Sequence, residues 1–434
     1  MSDLEYYEDG VFLYQGLPDD IDSLSSYQAI QNITTPPLDS GQCLDLLRSL
    51  FAKRFSVFYN TGLGKTLVAS AFMKALKNND RNSKALFIGT PSQIYETSKK
   101  ITKASGLKCS VFDGSSNKFV STAILDSCDV IVMSSMALLN EEQMERLLFV
   151  MPEIKCIVAD EIHLLSNLEE GKSAFMLYSL SKRVEYFLGL TATPITTNIE
   201  QFCRVLKIVN PLEVGNFKKL TSTIKIYGLN GLEAKYLDMF TIRDRPNIRK
   251  GFSIFMDPMP HQIGAKGKSL FELTKGKGSV RQVTTLVNLI RDKKPFKGLV
   301  YVFHKSVYEY LEEILPKYNI RFESINGSTP KQDRVEIMEK FRNNELDVIL
   351  TNVKEALDMD SDYVVFYEFT PHVKQMIGRV ERGLNPKAIE VYFMFTRQTD
   401  EYDYFIRNVY NISQDIQDIM GIDYHEVLDL KEYK

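Results

Sequence analysis

Short apolar runs alternating with helical stretches, twice along the chain, limit the possible folds more than any other feature. Ser56-Val57-Phe58-Tyr59, "ALFIGT" (85–90), "DVIVMSS" (129–135), "IKCIVAD" (154–160) and "VEYFLGLT" (184–191) have strand length, and stretches such as "NEEQMERLLFV" (140–150) between them have helical spacing. Strands apolar on both faces are parallel strands covered by helices on both sides. The alternation restarts after residue 295 with "KGLVYVFHK", "SVYEYLEEILPKY", "IRFESING", "KQDRVEIMEKFRN", "LDVILTN", "YVVFYEF", "HVKQMIGRVER" and "IEVYFMFTR". The expectation is an α/β protein with two parallel-sheet domains. With 434 residues, 44% of them hydrophobic, the chain is long enough to give each domain its own core.

The first strand runs into "YNTGLGKT" (59–66), which is followed by the helical "LVASAFMKAL" (67–76). A glycine turn at a helix start aims backbone N–H groups at an anion, and the helix dipole adds to the attraction. Lys65 reaches the β and γ phosphates of a nucleotide, and Thr66 is a ligand for Mg2+. Tyr59 stands where such loops usually begin with a small residue, so the GxxxxGK[ST] spacing misses by one position. A second motif, Asp160-Glu161-Ile162-His163, closes the run "IKCIVAD". Acids at the carboxyl end of a parallel strand lie where such sheets bind ligands. Asp160 suits Mg2+ through its water shell, and Glu161 suits a base that orients and deprotonates water.

Composition excludes several classes. The five cysteines form no CxxC pair, which argues against a zinc site or a secreted disulfide framework. No apolar run reaches the roughly 18 residues that span a bilayer, and the N-terminus is acidic. A cytoplasmic or nuclear protein with no membrane partner is expected. Residues 1–47 hold nine carboxylates, Asp39 and Asp45 among them, and no Lys or Arg. This marks residues 1–38 as an acidic arm, a surface for a protein partner or a competitor of nucleic acid. Residues 243–281 hold nine basic residues, beginning with Arg243, against three acids, among glycines, and read as part of a basic connector over 215–285. The domains expected are then 39–214 and 286–434.

In order along the chain, these motifs resemble those of helicase superfamily two ATPases, and within them the Swi/Snf-type double-stranded DNA translocases. "TGLGKT" (61–66) is similar to motif I, "DEIH" (160–163) to motif II, and "LTATPITTNIEQFCRVLKIVNP" (190–211) to motif III and its following helix. "INGSTPKQDRVEIMEKF" (325–341), "QMIGRVERG" (375–383) and "VYFMFTRQTDEYDYFI" (391–406) resemble segments of the second lobe. The resemblance implies two RecA-like lobes in tandem with the nucleotide site in the cleft between them, using ATP and Mg2+.

Position by position, it implies that Thr61, Gly62, Leu63, Gly64, Lys65 and Thr66 hold the nucleotide, Thr66 and Asp160 the metal, and Glu161 the water. His163, Thr191 and Thr193 would couple motifs II and III. In motif VI, Arg382 is the preferred arginine finger, with Arg379 and Gln375 on the same helical face. Asp358 would lie near the ribose, in a motif V where Ala356 replaces the family's glycine. Gln42 would read adenine, or is a plain surface glutamine. Thr90, Pro91, Ser134, Ser135 and Thr351 would touch nucleic-acid phosphates, although Ser or Thr after a strand serves equally as a helix N-cap. The activity implied is an ATP-driven motor on double-stranded or branched DNA. An RNA helicase, an ATP-gated clamp and the motor subunit of a larger complex are the alternatives.

Overall fold

The computed structural model describes residues 6–7, 10–11, 30–60, 62–113, 122–169, 171–195, 198–227, 232–243, 251–257, 280–352, 361–368, 390–396 and 430–432. The chain divides into two compact units, Met1–Pro246 and Asn247–Lys434. Each is built on one seven-stranded sheet.

In the first unit, helix α1 (Ser40–Ala52) precedes β1 (Arg54–Tyr59), α2 (Lys65–Asn79), β2 (Lys84–Gly89), α3 (Ile94–Ser105), β3 (Cys109–Phe112) and β4 (Val130–Ser134). Then come α4 (Glu141–Val150), β5 (Ile154–Ala159), α5 (Lys172–Ser181), β6 (Tyr186–Thr191), α6 (Ile199–Val209), α7 (Phe217–Tyr227) and β7 (Phe240–Arg243). The strand order is β3-β4-β2-β5-β6-β1-β7, and every pairing is parallel. The inner strands are buried almost without interruption, β4 at every residue and β1 and β2 at all but the first. The continuous apolar runs correspond to this burial on both faces.

The second unit contains β8 (Gly251–Asp257), α8 (Val280–Asp292), β9 (Gly298–Tyr301), α9 (Lys305–Ile314), β10 (Phe322–Ile325), α10 (Lys331–Arg342), β11 (Val348–Thr351), β12 (Tyr363–Phe366), β13 (Glu390–Thr396) and β14 (Leu430–Glu432). Its order is β10-β11-β9-β12-β13-β8-β14, again all parallel. Numbered from its own first strand, each sheet reads 3-4-2-5-6-1-7, so the second unit repeats the topology of the first.

Two of these strands, β7 and β8, fall within 215–285, the stretch whose composition reads as a connector. Strand β7 adds to the edge of β1, with Ser56 opposite Phe240 and Tyr59 opposite Arg243. Phe240 lies 5.8 Å from Phe58 and 5.2 Å, edge-on, from Phe202 of α6, so an aromatic trio binds the strand into the first core. Strand β8 pairs along its full length with β13 and is the first strand of the second sheet.

Gly298 opens β9 directly opposite Tyr363 of β12. A Cβ there would lie 2.2 Å from the Tyr363 ring, which is 1% exposed and has no room to retreat. Gly298→Ala is expected to destabilise the second unit by about 1–3 kcal/mol through overpacking. Urea unfolding followed by circular dichroism measures this, and an unchanged midpoint would contradict it.

Candidate nucleotide site

Strand β1 delivers Tyr59 to the head of the glycine turn. Tyr59 is fully buried and its hydroxyl donates to Asp45 of α1, so the departure from a small residue is filled by a packed, hydrogen-bonded side chain. Burial, with the Asp45 carboxylate beside it, holds the Tyr59 hydroxyl well above its ordinary range. Gly62 and Gly64 have φ of +83° and +84°, a region that costs glycine nothing. Gly64 is the N-cap of α2 and offers no side-chain cap to the helix start. The first N–H groups of α2 therefore face the turn without a competing side-chain acceptor at the cap. The Lys65 ammonium donates to the Tyr59 carbonyl at 3.0 Å, bridging the mouth of the loop. Thr66 follows, half-buried. Thr61 lies outside the described residues.

The turn is gripped from α1. Asp39 caps this helix in a reciprocal box: Gln42 N–H donates to Asp39 Oδ1 at 2.7 Å and Asp39 N–H to Gln42 Oε1 at 3.0 Å. The amide nitrogen of Gln42 then donates to the Leu63 carbonyl at 2.9 Å. Gln42 is buried, not a surface glutamine, and its nitrogen fills the space that a Cβ on Gly64 would occupy, 2.5 Å away. Asp39 and Asp45, two of the nine acids read from the N-terminal sequence, are thus structural parts of this site.

Strands β1, β6 and β5 lie side by side in that order, so their carboxyl ends share one edge of the sheet. Asp160 and Glu161 follow β5. Glu161 has φ +48°, a left-handed conformation unusual for a side chain of its size, and its N–H donates to Asp160 Oδ1 at 3.0 Å. Thr191, the last residue of β6, is fully buried and meets Glu161 Oε2 at 3.3 Å and His163 Nδ1 at 2.7 Å. His163 Nδ1 is itself 3.3 Å from Glu161 Oε2. The Thr191 oxygen also accepts the Thr193 N–H at 3.0 Å. With its own proton on Glu161, the hydroxyl has a lone pair left for the histidine, which assigns the proton of neutral His163 to Nδ1. His163 and Thr191 thus meet at Glu161, and Thr193 joins them through the Thr191 hydroxyl. Gln201 of α6 donates to the His163 carbonyl at 3.2 Å and extends the network; its place in the motif III helix was its only sequence signal.

The residues expected to touch nucleic acid are less alike. Pro91 is exposed, while Thr90, Ser134 and Thr351 are buried at the ends of β2, β4 and β11. Ser134 Oγ accepts the Met136 N–H, which is the N-cap alternative, and Ser135 begins the short helix so capped. Asp358, Gln375, Arg379 and Arg382 lie outside the described residues.

A glycine turn in which Gln42 takes the space of a Gly64 Cβ, together with the oxygen donors Asp160 and Thr66, suits a phosphorylated nucleotide and a hard divalent ion. Such a turn between a parallel strand and a helix defines a P-loop nucleotide-binding domain. Residues 29–196 match the family described as type III restriction enzyme, res subunit, and residues 281–386 the helicase conserved C-terminal domain. In that order these are the paired domains of helicase superfamily two. UvrABC system protein B of Fervidobacterium nodosum is 34% identical over 121 residues, 25% of this chain and 18% of that protein. The DEAD-box ATP-dependent RNA helicase 35B of Oryza sativa subsp. japonica is 22% identical over 135 residues, 30% of this chain and 22% of that protein. The chain therefore spans less than a quarter of the length of either relative. The structure of S. cerevisiae Dbp5 bound to RNA and ADP BeF3 shares the fold, with a TM-score of 0.55 and 14% identity over 96% of this chain and 95% of that one.

Burial holds His163 below its ordinary range, helped by the Lys65 charge and opposed by Glu161. Above about pH 6.5 the folded and unfolded chains both carry it neutral, and it makes no difference. Below that, the unfolded chain takes up a proton that the folded one resists, so stability falls as the pH drops toward the folded value. His163→Gln is expected to shrink the loss of unfolding free energy between pH 8 and pH 5, measured by urea titration at each pH. An undiminished loss would contradict the assignment.

Proposed function

We propose that this chain is an ATP-dependent nucleic-acid motor, hydrolysing ATP to translocate on or remodel double-stranded or branched DNA. The observation that carries the reading is the contact of Glu161 with Thr191 and His163, which ties an acid beside the phosphate loop to the segment after β6. In this reading Lys65 and the N–H groups of the turn hold the β and γ phosphates. Glu161 orients the attacking water and takes its proton. Asp160 and Thr66 would hold Mg2+, which when bound neutralises phosphate charge. Arg379 and Arg382 are proposed to stabilise the charge of the transferring phosphoryl group, and Gln375 to accompany them.

A motor also needs the hydrolysis step to be felt elsewhere. From Glu161 the hydrogen bonds run through Thr191 to the Thr193 backbone, and from His163 to Gln201 on α6. Replacing a carboxylate's charge partner on hydrolysis would alter this route first. The choice of duplex DNA, and of the Swi/Snf-like group, is supported by the resemblance of residues 190–211. An RNA helicase is the second reading, favoured by the rice relative. A motor subunit of a larger complex is favoured by the match over 29–196. The cysteines are free, as suits a cytoplasmic or nuclear protein, and among the described residues no helix is long and apolar enough to cross a membrane. Residues 1–38 are proposed to engage a protein partner.

ATPase rates without nucleic acid and with duplex DNA, single-stranded DNA or RNA test this reading. Duplex DNA is expected to stimulate most, and Glu161→Gln to lower kcat by about 10²–10⁴. Stimulation by RNA alone would overturn the choice of DNA.

A further inference from the structure

Arg243 joins pieces of the nucleotide site that lie far apart in sequence. It ends β7, beyond the part of the chain that matches the first helicase domain. Its carbonyl accepts the Asn60 N–H at 2.8 Å, at the start of the glycine turn. Its guanidinium donates to Asp39 Oδ1 at 3.0 Å and lies 5.0 Å from the centre of the Tyr59 ring. The side chain is 10% exposed.

Asp39 Oδ1 is the same oxygen that accepts the Gln42 N–H, and Gln42 in turn holds the Leu63 carbonyl. A continuous run of hydrogen bonds therefore leads from Arg243 through Asp39 and Gln42 to the residue before Gly64. Room for the guanidinium depends on Gly41, where a Cβ would lie 2.8 Å from its central carbon. Asp39 is 53% exposed, so water screens the pair, and its importance lies in where it holds the cap more than in its strength.

We propose that Arg243 is a positioning residue for nucleotide binding: through Asp39 it fixes the cap of α1, and so presents Gln42 and the Leu63–Gly64 turn in the arrangement that receives the nucleotide. The proposal rests on the ATPase reading of the loop. Lysine in place of Arg243 keeps the charge toward Asp39 but loses the planar fork and its stacking on Tyr59.

The test uses the full chain and three variants, Arg243→Ala, Arg243→Lys and Gly41→Ala, with steady-state ATPase kinetics and thermal unfolding for each. Arg243→Ala is expected to raise KM for ATP by about fivefold or more while kcat stays within about twofold, the signature of lost binding. Arg243→Lys should restore part of that loss. Gly41→Ala improves helix propensity yet evicts the guanidinium, so it should raise KM without lowering the unfolding midpoint. That variant keeps the proposal open to refutation even if Arg243→Ala misfolds. Unchanged KM in Gly41→Ala would overturn it, as would an Arg243→Ala effect confined to the unfolding midpoint. A wild type that neither binds nor hydrolyses ATP would overturn the ATPase reading and this inference with it; an active wild type with indistinguishable variants overturns this inference alone.

Discussion

The bond from the Gln42 amide to the Leu63 carbonyl is the contact on which the site depends. A turn with two left-handed glycines has little reason of its own to stay in one shape, because glycine gains most from freedom. Here it is held from two sides, by the capped start of α1 and by the carbonyl of Arg243 on the edge strand. With the turn fixed, the start of α2, Lys65 and Thr66 acquire fixed places relative to the sheet. The ordering entropy of the loop is then met on folding, before any ligand arrives.

Thr191 plays the corresponding part for the acidic motif. It stands at the end of β6, between the strand that carries the glycine turn and the strand that carries Asp160 and Glu161. One buried hydroxyl meets a carboxylate, an imidazole and a backbone N–H, which uses its whole hydrogen-bonding capacity. In a low-dielectric interior such a fully satisfied node is rigid, and removing one member strands the others. The left-handed backbone at Glu161 is the strained feature that this node supports.

Much of this was legible in the sequence, for stated reasons. Parallel strands buried on both faces are continuous apolar runs, and acids at their carboxyl ends stand out against them, so β2, β4, β5 and β6 and the Asp160–His163 motif were readable directly. Edge strand β7 was not. Strand β7 has four residues and borrows its stability from Phe58 and Phe202, contacts no local pattern reports. Arg243 and Asp39, 204 positions apart, each looked like a member of a charge run, and only the fold makes them partners. Ser134 shows the opposite limit, since a hydroxyl after a strand has the same sequence signature whether it caps a helix or meets a phosphate. Gln375, Arg379 and Arg382 lie outside the described residues.

The central claim is that the turn after β1 receives the nucleotide. Equilibrium titration of a fluorescent ADP analogue, with and without Mg2+, on the wild-type chain and on Lys65→Ala tests it most directly. The account predicts Mg2+-dependent binding by the wild type and a loss of about tenfold or more in affinity for Lys65→Ala, as expected when a buried phosphate loses its cation. Equal affinity in the two proteins would place the nucleotide elsewhere and contradict the account.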